Sequence, residues 1–305
     1  MSNLVEGFNP LIRGGLRNDF RDEYDLHAEQ YSQWLKTSST DKPEVMAAVF
    51  SGLSRLYLLR DGEPVTYEQP KLSDPVAAVD REFGLGTVIT RKMQEDDQYG
   101  LMRKAARWLA HATRNCYEYR GAELLDDAFA GATYKGVDGL SLINSAHTYL
   151  NNGGATWSNT TSLPVQVSVT GITALHDVFM NLRDHNGDPI NSMFDTLIIS
   201  NNATDYHAAL QILGSEKEPF TAENQDNAIK KVAGGTKLVI ARYKLATRSY
   251  FALDSKLNDA HFHMRRKATY DDYRDPDTGA MKSSATTRFI IWFVDPRGWA
   301  GVNPA

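Results

Sequence analysis

The feature that most constrains this chain is a stretch without proline, residues 96–129, which has the pattern of one unusually long helix. Its apolar face is formed by Met102, Ala105, Ala106, Leu109, Ala112 and Cys116, at the spacing of an amphipathic helix. Charged residues lie mostly off that face, and an acidic pair precedes it, where a helix dipole favours negative charge. The charged residues are Arg103, Lys104, Arg107, Arg114 and Glu118, and the pair is Asp96 and Asp97. If it continues to about residue 125, the helix is roughly 45 Å long, so it needs a long surface to pack against.

The first 43 residues are polar, mixed in composition and weakly patterned. They predict an extended arm with a short helix near residues 26–35. A segment with so few apolar positions cannot easily bury itself. We therefore expect this arm either to be disordered or to be ordered by a neighbouring molecule.

Residues 44–93 have the pattern of strands around a tight turn. Residues 53–59 and 65–68 predict two strands, and the turn between them contains Asp61-Gly62. This dipeptide is a strong hairpin signal because glycine readily adopts a positive φ. A further strand is predicted at residues 83–90. Because the hairpin has too few large apolar residues for a core of its own and a two-stranded ribbon is marginal in water, we expect it to lie on another surface.

After the long helix, the pattern predicts a compact α/β unit followed by a return to strands. The predicted elements are helices at 173–182 and 205–213, strands at 194–200, 237–241 and 249–253, and final strands at 261–267 and 287–294 joined by a turn at 275–279.

Composition excludes several classes of protein. The net charge is −5, unlike that of a strongly basic nucleic-acid-binding protein. The single cysteine, Cys116, excludes an internal disulfide framework and fits a reducing compartment. The longest purely apolar run, residues 289–294, is too short to span a bilayer, and the N-terminus lacks the pattern of a signal peptide.

The sequence contains no motif for nucleotide binding, serine hydrolysis or zinc-dependent hydrolysis. His261 and His263 lie on one face of a predicted strand, where a polar strand face is a simpler interpretation than a metal site. The aspartates within residues 271–277 lack the glycine and glutamate spacing of a calcium loop. They predict a solvated hairpin turn.

Other candidate functional residues also have a simpler structural interpretation. The acidic residues 95–97 fit helix capping better than a catalytic carboxylate cluster. Cys116 falls on the apolar helix face, which favours a buried, unreactive thiol over a nucleophile. Trp292 and Trp299 fit core and interface anchors better than a stacking platform. The sequence therefore predicts no catalytic residue, no metal site and no cofactor, and it indicates surfaces meant for other copies of the chain.

The order of these parts resembles the major capsid protein of tailed bacteriophages, which has the Hong Kong 97 fold. Residues 62–67 resemble the family's extended loop, and residues 83–91 with the long helix resemble the strand that returns from that loop into the spine helix. The other segments that carry the resemblance are 138–147, toward the axial domain, 194–200 and 250–253, within it, and 295–297, in the closing strand region. No single motif is specific, but the ordered set covers most of the chain.

The resemblance implies an α+β protein with a Hong Kong 97-like capsid fold. Its implied parts are an N-terminal arm (1–43), an extended β-hairpin loop (44–93), a peripheral domain (94–164 and 261–305, with the spine helix at about 96–125) and an α/β axial domain (165–260).

The resemblance also implies a structural protein without enzymatic activity. Many copies would self-assemble into hexamers and pentamers of an icosahedral shell around double-stranded DNA, bound without sequence specificity. The protein would be found in the virion after assembly in the cytoplasm of a host bacterium. Its other partners would be a separate scaffolding protein, a portal and, optionally, a decoration protein, with no membrane. Candidate contacts between subunits are Arg60, Asp61, Gly62, Glu63, Pro64, Tyr67, Lys71 and Trp299.

The chain departs from some members of the family. Only about 45 residues precede the extended loop, which leaves no room for the long scaffolding segment that some members carry, and this is why separate scaffolding is expected. The best-known member cross-links a loop lysine to an asparagine of a neighbour. Lys71 is the lysine nearest the tip, but the sequence identifies neither a partner asparagine nor a catalytic glutamate, so we do not expect a covalent cross-link.

Two alternatives remain open on the sequence alone. The first is encapsulin, which uses the same fold as a protein-cargo compartment. The second is a soluble cytoplasmic α/β enzyme, which would need a pocket with converging polar groups.

Overall fold

The structure, a computed structural model, describes residues 2–96, 100–151, 154–161, 163–217, 219, 226–233, 235–244 and 248–304. Side chains are described for these residues except 2–13, 94–95 and 232–233. The α-helices are α1 (Ser2–Leu26), α2 (Arg91–Glu95), α3 (Leu101–Asp126), α4 (Val169–Met180), α5 (Ala203–Gly214) and α6 (Ala228–Ala233). Short 3-10 helices span Tyr31–Gln33 and Pro296–Gly298.

The described strands form two four-stranded sheets and two short pairs. They are β1 (Lys36–Ser39), β2 (Glu44–Ala47), β3 (Val76–Val79), β4 (Arg81–Ile89), β5 (His147–Thr148), β6 (Thr156–Trp157), β7 (Thr196–Ser200), β8 (Lys237–Ala241), β9 (Tyr250–Leu253), β10 (Ala260–Arg274), β11 (Met281–Phe293) and β12 (Trp299–Val302). The main sheet has the order β1-β10-β11-β4 and the second sheet the order β12-β9-β7-β8, while β2 pairs with β3 and β5 with β6.

The long stretch forms α3, whose 26 residues make it about 39 Å long. The helix begins at Leu101, directly after Gly100 in the left-handed region at φ 63°, and not at residue 96. The expected acidic cap is therefore wrong for Asp96, which ends α2 instead. Asp97 lies outside the described residues.

The predicted apolar face of α3 is only part of what this helix buries. Ala106 and Leu109 are buried, whereas Ala112 and Cys116 are half-buried. In its second half, the helix is covered on several sides, and the further buried residues include Tyr117, Glu118, Gly121, Ala122, Leu124 and Leu125. This half of α3 shares one core with the main sheet and with β7, β8 and β9 of the second sheet.

Glu118 is buried, although the sequence pattern placed it off the apolar face. Its carboxylate accepts hydrogen bonds from the backbone N–H groups of Gln30 at 2.7 Å and Tyr31 at 3.2 Å. These N–H groups stand at the start of a 3-10 helix, where they lack partners within the helix. Burial raises the pKa of Glu118, although the two hydrogen bonds act in the opposite direction. The side chain therefore caps a segment distant in sequence.

The prediction of an extended N-terminal arm is wrong, because α1 occupies most of this region. Of the short helix expected near residues 26–35, the structure has only a 3-10 helix at Tyr31–Gln33, after α1 ends at Leu26. Leu16 and Phe20, one helical turn apart, are buried against α3 and the main sheet. This segment therefore buries a face within its own subunit.

An ion cluster fixes α1 to α3. Asp19 accepts two hydrogen bonds from Arg103, at 2.6 and 2.8 Å, and one from Arg107 at 3.2 Å. The hydrogen bond from Arg103 lowers the pKa of Asp19 below its ordinary value of 3.8, with the help of Arg107 and against the effect of burial.

The main sheet is built around the hairpin of β10 and β11, which pair from Ala260–Phe293 to Arg274–Met281. The predicted turn joins them, since the Gly279 N–H donates to the Asp275 carbonyl at 2.9 Å. On either side, β1 adds in parallel to β10 and β4 adds in antiparallel to β11. Both outer strands come from the first third of the chain, so the sheet joins its two ends.

The second sheet lies next to α4 and α5, with a separate apolar cluster that includes Leu175, Phe179 and Ile212. One of its strands comes from an unexpected part of the chain. β12 pairs with β9, from Trp299–Leu253 to Val302–Tyr250, although residues 261–305 were all assigned to the peripheral part. The 3-10 turn at Pro296–Gly298 redirects the chain from the main sheet to the second sheet, and so short a strand has little periodicity to predict it.

Candidate assembly surface

A two-stranded ribbon, residues 44–79, projects from the body of the subunit. Its strands are paired at the base, where β2 and β3 run antiparallel. Beyond them, the Ser73 N–H donates to the Val49 carbonyl and the Ser51 N–H to the Lys71 carbonyl, both at 2.9 Å. The prediction of two strands at residues 53–59 and 65–68 is wrong, because these described residues form no strand ladder. The ribbon is therefore paired where it joins the body and open toward its tip.

The ribbon tip, residues 51–70, turns at the predicted position. Gly62 has φ of 83°, which is the left-handed conformation that glycine adopts without strain. The Glu63 N–H donates to the Arg60 carbonyl at 3.0 Å. The Glu63 carboxylate accepts from the Arg60 N–H at 2.9 Å. Glu63 thus stabilises the turn itself, and Arg60 and Asp61 supply exposed charge beside it.

Large apolar side chains of the ribbon tip point into solvent. Leu58 is 93% exposed and Tyr67 is 92% exposed. The hairpin was expected to lie on another surface, but within this subunit its tip is uncovered. Both faces are exposed, because the other exposed apolar residues of the ribbon are Met46, Phe50, Leu53, Leu56, Tyr57, Leu59, Val65, Leu72 and Val79. So large an exposed apolar area on one subunit indicates a surface that another molecule covers.

One acidic side chain holds the two arms of the tip together. Glu68 accepts a hydrogen bond from the Ser54 N–H at 3.0 Å through one oxygen and from the Tyr57 hydroxyl at 3.1 Å through the other. The bond from the backbone of Ser54 lowers the pKa of Glu68. Side-chain contacts of this kind replace the missing strand ladder, so the tip has a shape although it has no core.

An ion pair joins the tip to the body. The guanidinium Nε of Arg55 donates to Asp188 at 2.6 Å, and Asp188 belongs to the turn after α4. Both groups are partly or largely exposed. Exposed ion pairs of this kind contribute little to stability, so this contact holds the tip against the body only weakly.

Most of the predicted contact residues lie together on the ribbon. Asp61, Pro64 and Tyr67 are exposed at the tip, and Lys71 is exposed further down. Trp299 does not belong with them. Its side chain is 1% exposed, and its indole N–H donates to Asn258 at 3.0 Å inside the core of its own subunit. The interface role proposed for Trp299 is therefore wrong, since a buried aromatic and an interface aromatic look alike in sequence.

Sequence reasoning missed an exposed aromatic on the long helix. Trp108 is 67% exposed on the side of α3 that faces away from the core. The sequence contained a signal for this exposure. Trp108 is two residues after Ala106 and one before Leu109, which are both buried, so helical geometry puts its indole on the opposite face.

The other candidate sites are structural features in this subunit. The rings of His261 and His263 stack at 5.2 Å, with Nε2 of His261 2.7 Å from Asp259 and Nδ1 of His263 hydrogen-bonded to Ser38. Burial raises the pKa of the Cys116 thiol, which disfavours a reactive thiolate.

Among the described residues, no group of three or more His, Cys, Asp or Glu side chains is arranged to hold a metal ion. No helix in the described part of the chain is long and apolar enough to cross a membrane.

Comparisons with known proteins extend this description. The sequence matches the profile of a family described as phage capsid protein over residues 75–302. No curated protein matches the chain by sequence.

Several solved structures have a similar fold. The capsid of cyanophage P-SCSP1u is similar with a TM-score of 0.56 at 11% identity, over 91% of this chain and 88% of that one. The mature capsid of bacteriophage PhiM1 gives a TM-score of 0.56 at 10% identity, over 91% of this chain and 87% of that one. A chain from Microbacterium phage Oxtober96 gives 0.54 at 11% identity, over 92% of both chains.

Proposed function

Because this chain belongs to the phage capsid protein family and has a Hong Kong 97-like fold, we propose that many copies of it assemble into hexamers and pentamers that close an icosahedral shell. The observation that carries this proposal is the ribbon tip. Its apolar side chains are exposed on both faces of an unpaired segment. A surface with such a composition is stable in water when a neighbouring subunit covers it.

We also propose a role within the capsomer for each of the two sheets. The second sheet with α4 and α5 forms most of the axial domain, which meets its copies at the capsomer centre. The main sheet with α1 and α3 forms the peripheral domain. The ribbon reaches the neighbouring subunit, and Arg60, Asp61, Pro64, Tyr67 and Lys71 contribute contacts there.

Further partners follow from the same proposal. The shell encloses double-stranded DNA, with a separate scaffolding protein, a portal and optionally a decoration protein as assembly partners in the host cytoplasm. With a net charge of −5, isolated subunits bind duplex DNA weakly and without sequence preference, because phosphate contacts from Lys and Arg supply most non-specific affinity. Sequence-specific binding at physiological salt would contradict this.

The family match favours a phage capsid over an encapsulin compartment and over a soluble enzyme. The contents of purified shells separate the first two. Double-stranded DNA inside shells made during infection supports the capsid, whereas a packaged enzyme would indicate an encapsulin. Sedimentation of the purified protein distinguishes both from an enzyme, because shells and capsomers sediment far ahead of a monomer or dimer.

Replacing residues 56–69 with a short Gly/Ser linker tests the role of the ribbon tip. The body keeps its own core, so circular dichroism should be unchanged while electron microscopy shows soluble subunits or isolated capsomers. A matched variant, Leu56→Ser with Leu58→Ser, keeps the length of the ribbon and removes only apolar surface, and it should also reduce closure. Regular shells from the linker variant would overturn the proposal. An unfolded linker variant would show that the ribbon tip belongs to the core.

A further inference from the structure

One residue joins the ribbon to the body of the subunit. Asp80 lies between β3, the second ribbon strand, and β4, the edge strand of the main sheet. Its backbone N–H donates to the carbonyl of Pro43 at 3.0 Å, just before the first ribbon strand β2. Asp80 therefore lies at the point where both strands of the ribbon meet the body.

The side chain of Asp80 is 3% exposed and lies between two arginines of the main sheet. Its Oδ2 is 2.8 Å from Nη1 of Arg265 on β10 and 2.6 Å from Nε of Arg288 on β11. Burial alone would raise the pKa of Asp80, but the two guanidinium groups outweigh it and lower that pKa. The carboxylate is therefore ionised at neutral pH and is attracted to both partly buried arginines.

The base of the ribbon also makes apolar contacts with the body. Ile290, Trp292 and Val294 of β11 pack against a set of small side chains from the ribbon base, which includes Val45, Ala47, Val49, Val76 and Ala78. Apolar burial is not directional, so this packing holds the ribbon on the sheet without defining its tilt. The charged contacts of Asp80 hold it at short distances from two fixed points of the sheet, because Arg265 and Arg288 lie on neighbouring strands.

The tilt matters because the ribbon is long. An extended segment such as residues 63–75 reaches up to about 40 Å. For a lever of this length, a change of about 10° in the angle at the base would displace the tip by roughly 7 Å. Such a displacement is larger than the length of one contact between side chains, so a loosely held base would bring the tip to the wrong part of a neighbour.

We propose that Asp80 is a positioning residue for assembly: through Arg265, Arg288 and Pro43 it fixes the angle at which the ribbon leaves the body. This rests on the proposed function, because the angle matters only if the tip contacts a neighbouring subunit. The partner is a second copy of this chain, and Asp80 acts on it through the ribbon without touching it.

The test uses spin labels on isolated full-length subunits. Cysteines replace Leu58 at the tip and Lys104 on α3, in a Cys116→Ala background, and double electron–electron resonance reports the distance between them. Asp80→Asn removes the charge and keeps the shape. Glu82→Gln is the matched control, because Glu82 pairs with Arg266 on the same sheet but the pair is largely exposed.

We expect a narrow distance distribution in the parent protein and in the Glu82→Gln variant, and a broadened or shifted one in Asp80→Asn, together with a loss of closed shells. An unchanged distribution in Asp80→Asn would overturn the proposal. If Asp80→Asn fails to fold, the Arg265→Gln variant takes its place in the test. It leaves Arg288 paired with Asp80 and should therefore broaden the distance distribution to a smaller extent. An unchanged distribution in Arg265→Gln would then overturn the proposal. A parent protein that forms no shells would contradict the proposed function, while the distance measurement would still judge the role of Asp80.

Discussion

The body of the subunit and the ribbon tip contain the same kinds of side chain in opposite environments. In the body, Tyr117 and Phe262 are buried, and their rings stand edge to face at 5.9 Å. In the ribbon tip, Leu58 and Tyr67 are almost fully exposed. Burial of one such side chain contributes about 1.5–3 kcal/mol, so the body obtains its stability alone, whereas the tip obtains none until a second molecule covers it. The stability of an isolated subunit therefore reports on the body, and assembly reports on the tip.

The sharpest contrast comes from one aromatic truncation in each region. Phe262→Ala should lower the free energy of unfolding by about 3–5 kcal/mol, since it leaves a cavity in the shared core. Tyr67→Ala should leave it unchanged and reduce shell yield. Urea unfolding and electron microscopy on the same preparations measure both. A destabilised Tyr67→Ala subunit would place the tip within the core.

A proline in each region extends the contrast to the backbone. Ala106→Pro should cost about 3 kcal/mol or more, because it removes a helical hydrogen bond and clashes with the preceding turn. The control is Thr66→Pro in the ribbon tip, where the segment is outside any strand ladder. Thermal unfolding followed by circular dichroism should show a large decrease only for Ala106→Pro. Normal assembly of that variant would contradict the role of α3 as the central helix.

The contact between α1 and α3 gives a smaller, pH-dependent effect. Asp19→Asn should cost about 1 kcal/mol at neutral pH, since it weakens hydrogen bonds to largely exposed arginines. The lowered pKa of Asp19 means that its contribution is present above its ordinary value of 3.8 and is lost as the pH falls below it. The difference in stability between variant and parent should therefore narrow toward pH 3. A constant difference across that range would show that the charge of Asp19 is not involved.

The smallest effect is expected where the two regions touch. Arg55→Ala removes the exposed ion pair with Asp188 and should change subunit stability by about 0.5 kcal/mol or less. The same substitution should clearly increase the mobility of the tip, as measured by a spin label at residue 58. A rigid tip in this variant would show that the contacts of Glu68 and the base alone hold the ribbon in place.

The elements of the body were largely predictable. The strand expected at residues 237–241 is β8, and the turn expected at residues 275–279 joins β10 to β11. β8 is mainly apolar and partly buried, and the turn is mostly exposed and rich in turn-forming residues, so each local pattern matches its environment. The resemblance to tailed-phage capsid proteins and the α+β class are confirmed.

Other parts depended on contacts that no local pattern contains. Leu16 and Phe20 had helical spacing, but Gly14 and Gly15 beside them lowered the apparent helix propensity of α1. Glu118 is buried because a distant segment needs a cap. The ribbon had strand-like alternation, but its pairing stops short of the tip, where the large apolar side chains are left exposed by the described part of the subunit. The contact set on the ribbon stays a prediction, apart from Trp299.

The main sheet has a consequence for synthesis of the protein on the ribosome. β1 and β4 are made early, but each pairs with a strand from the last third of the chain, β10 and β11. Such non-local pairing makes folding slow and delays it until most of the sequence has emerged. A polypeptide released before residue 281 lacks β11, to which β4, β10 and the ribbon base are all attached. The topology thus acts as a check on completeness, because a prematurely terminated chain lacks the strand on which the ribbon is mounted.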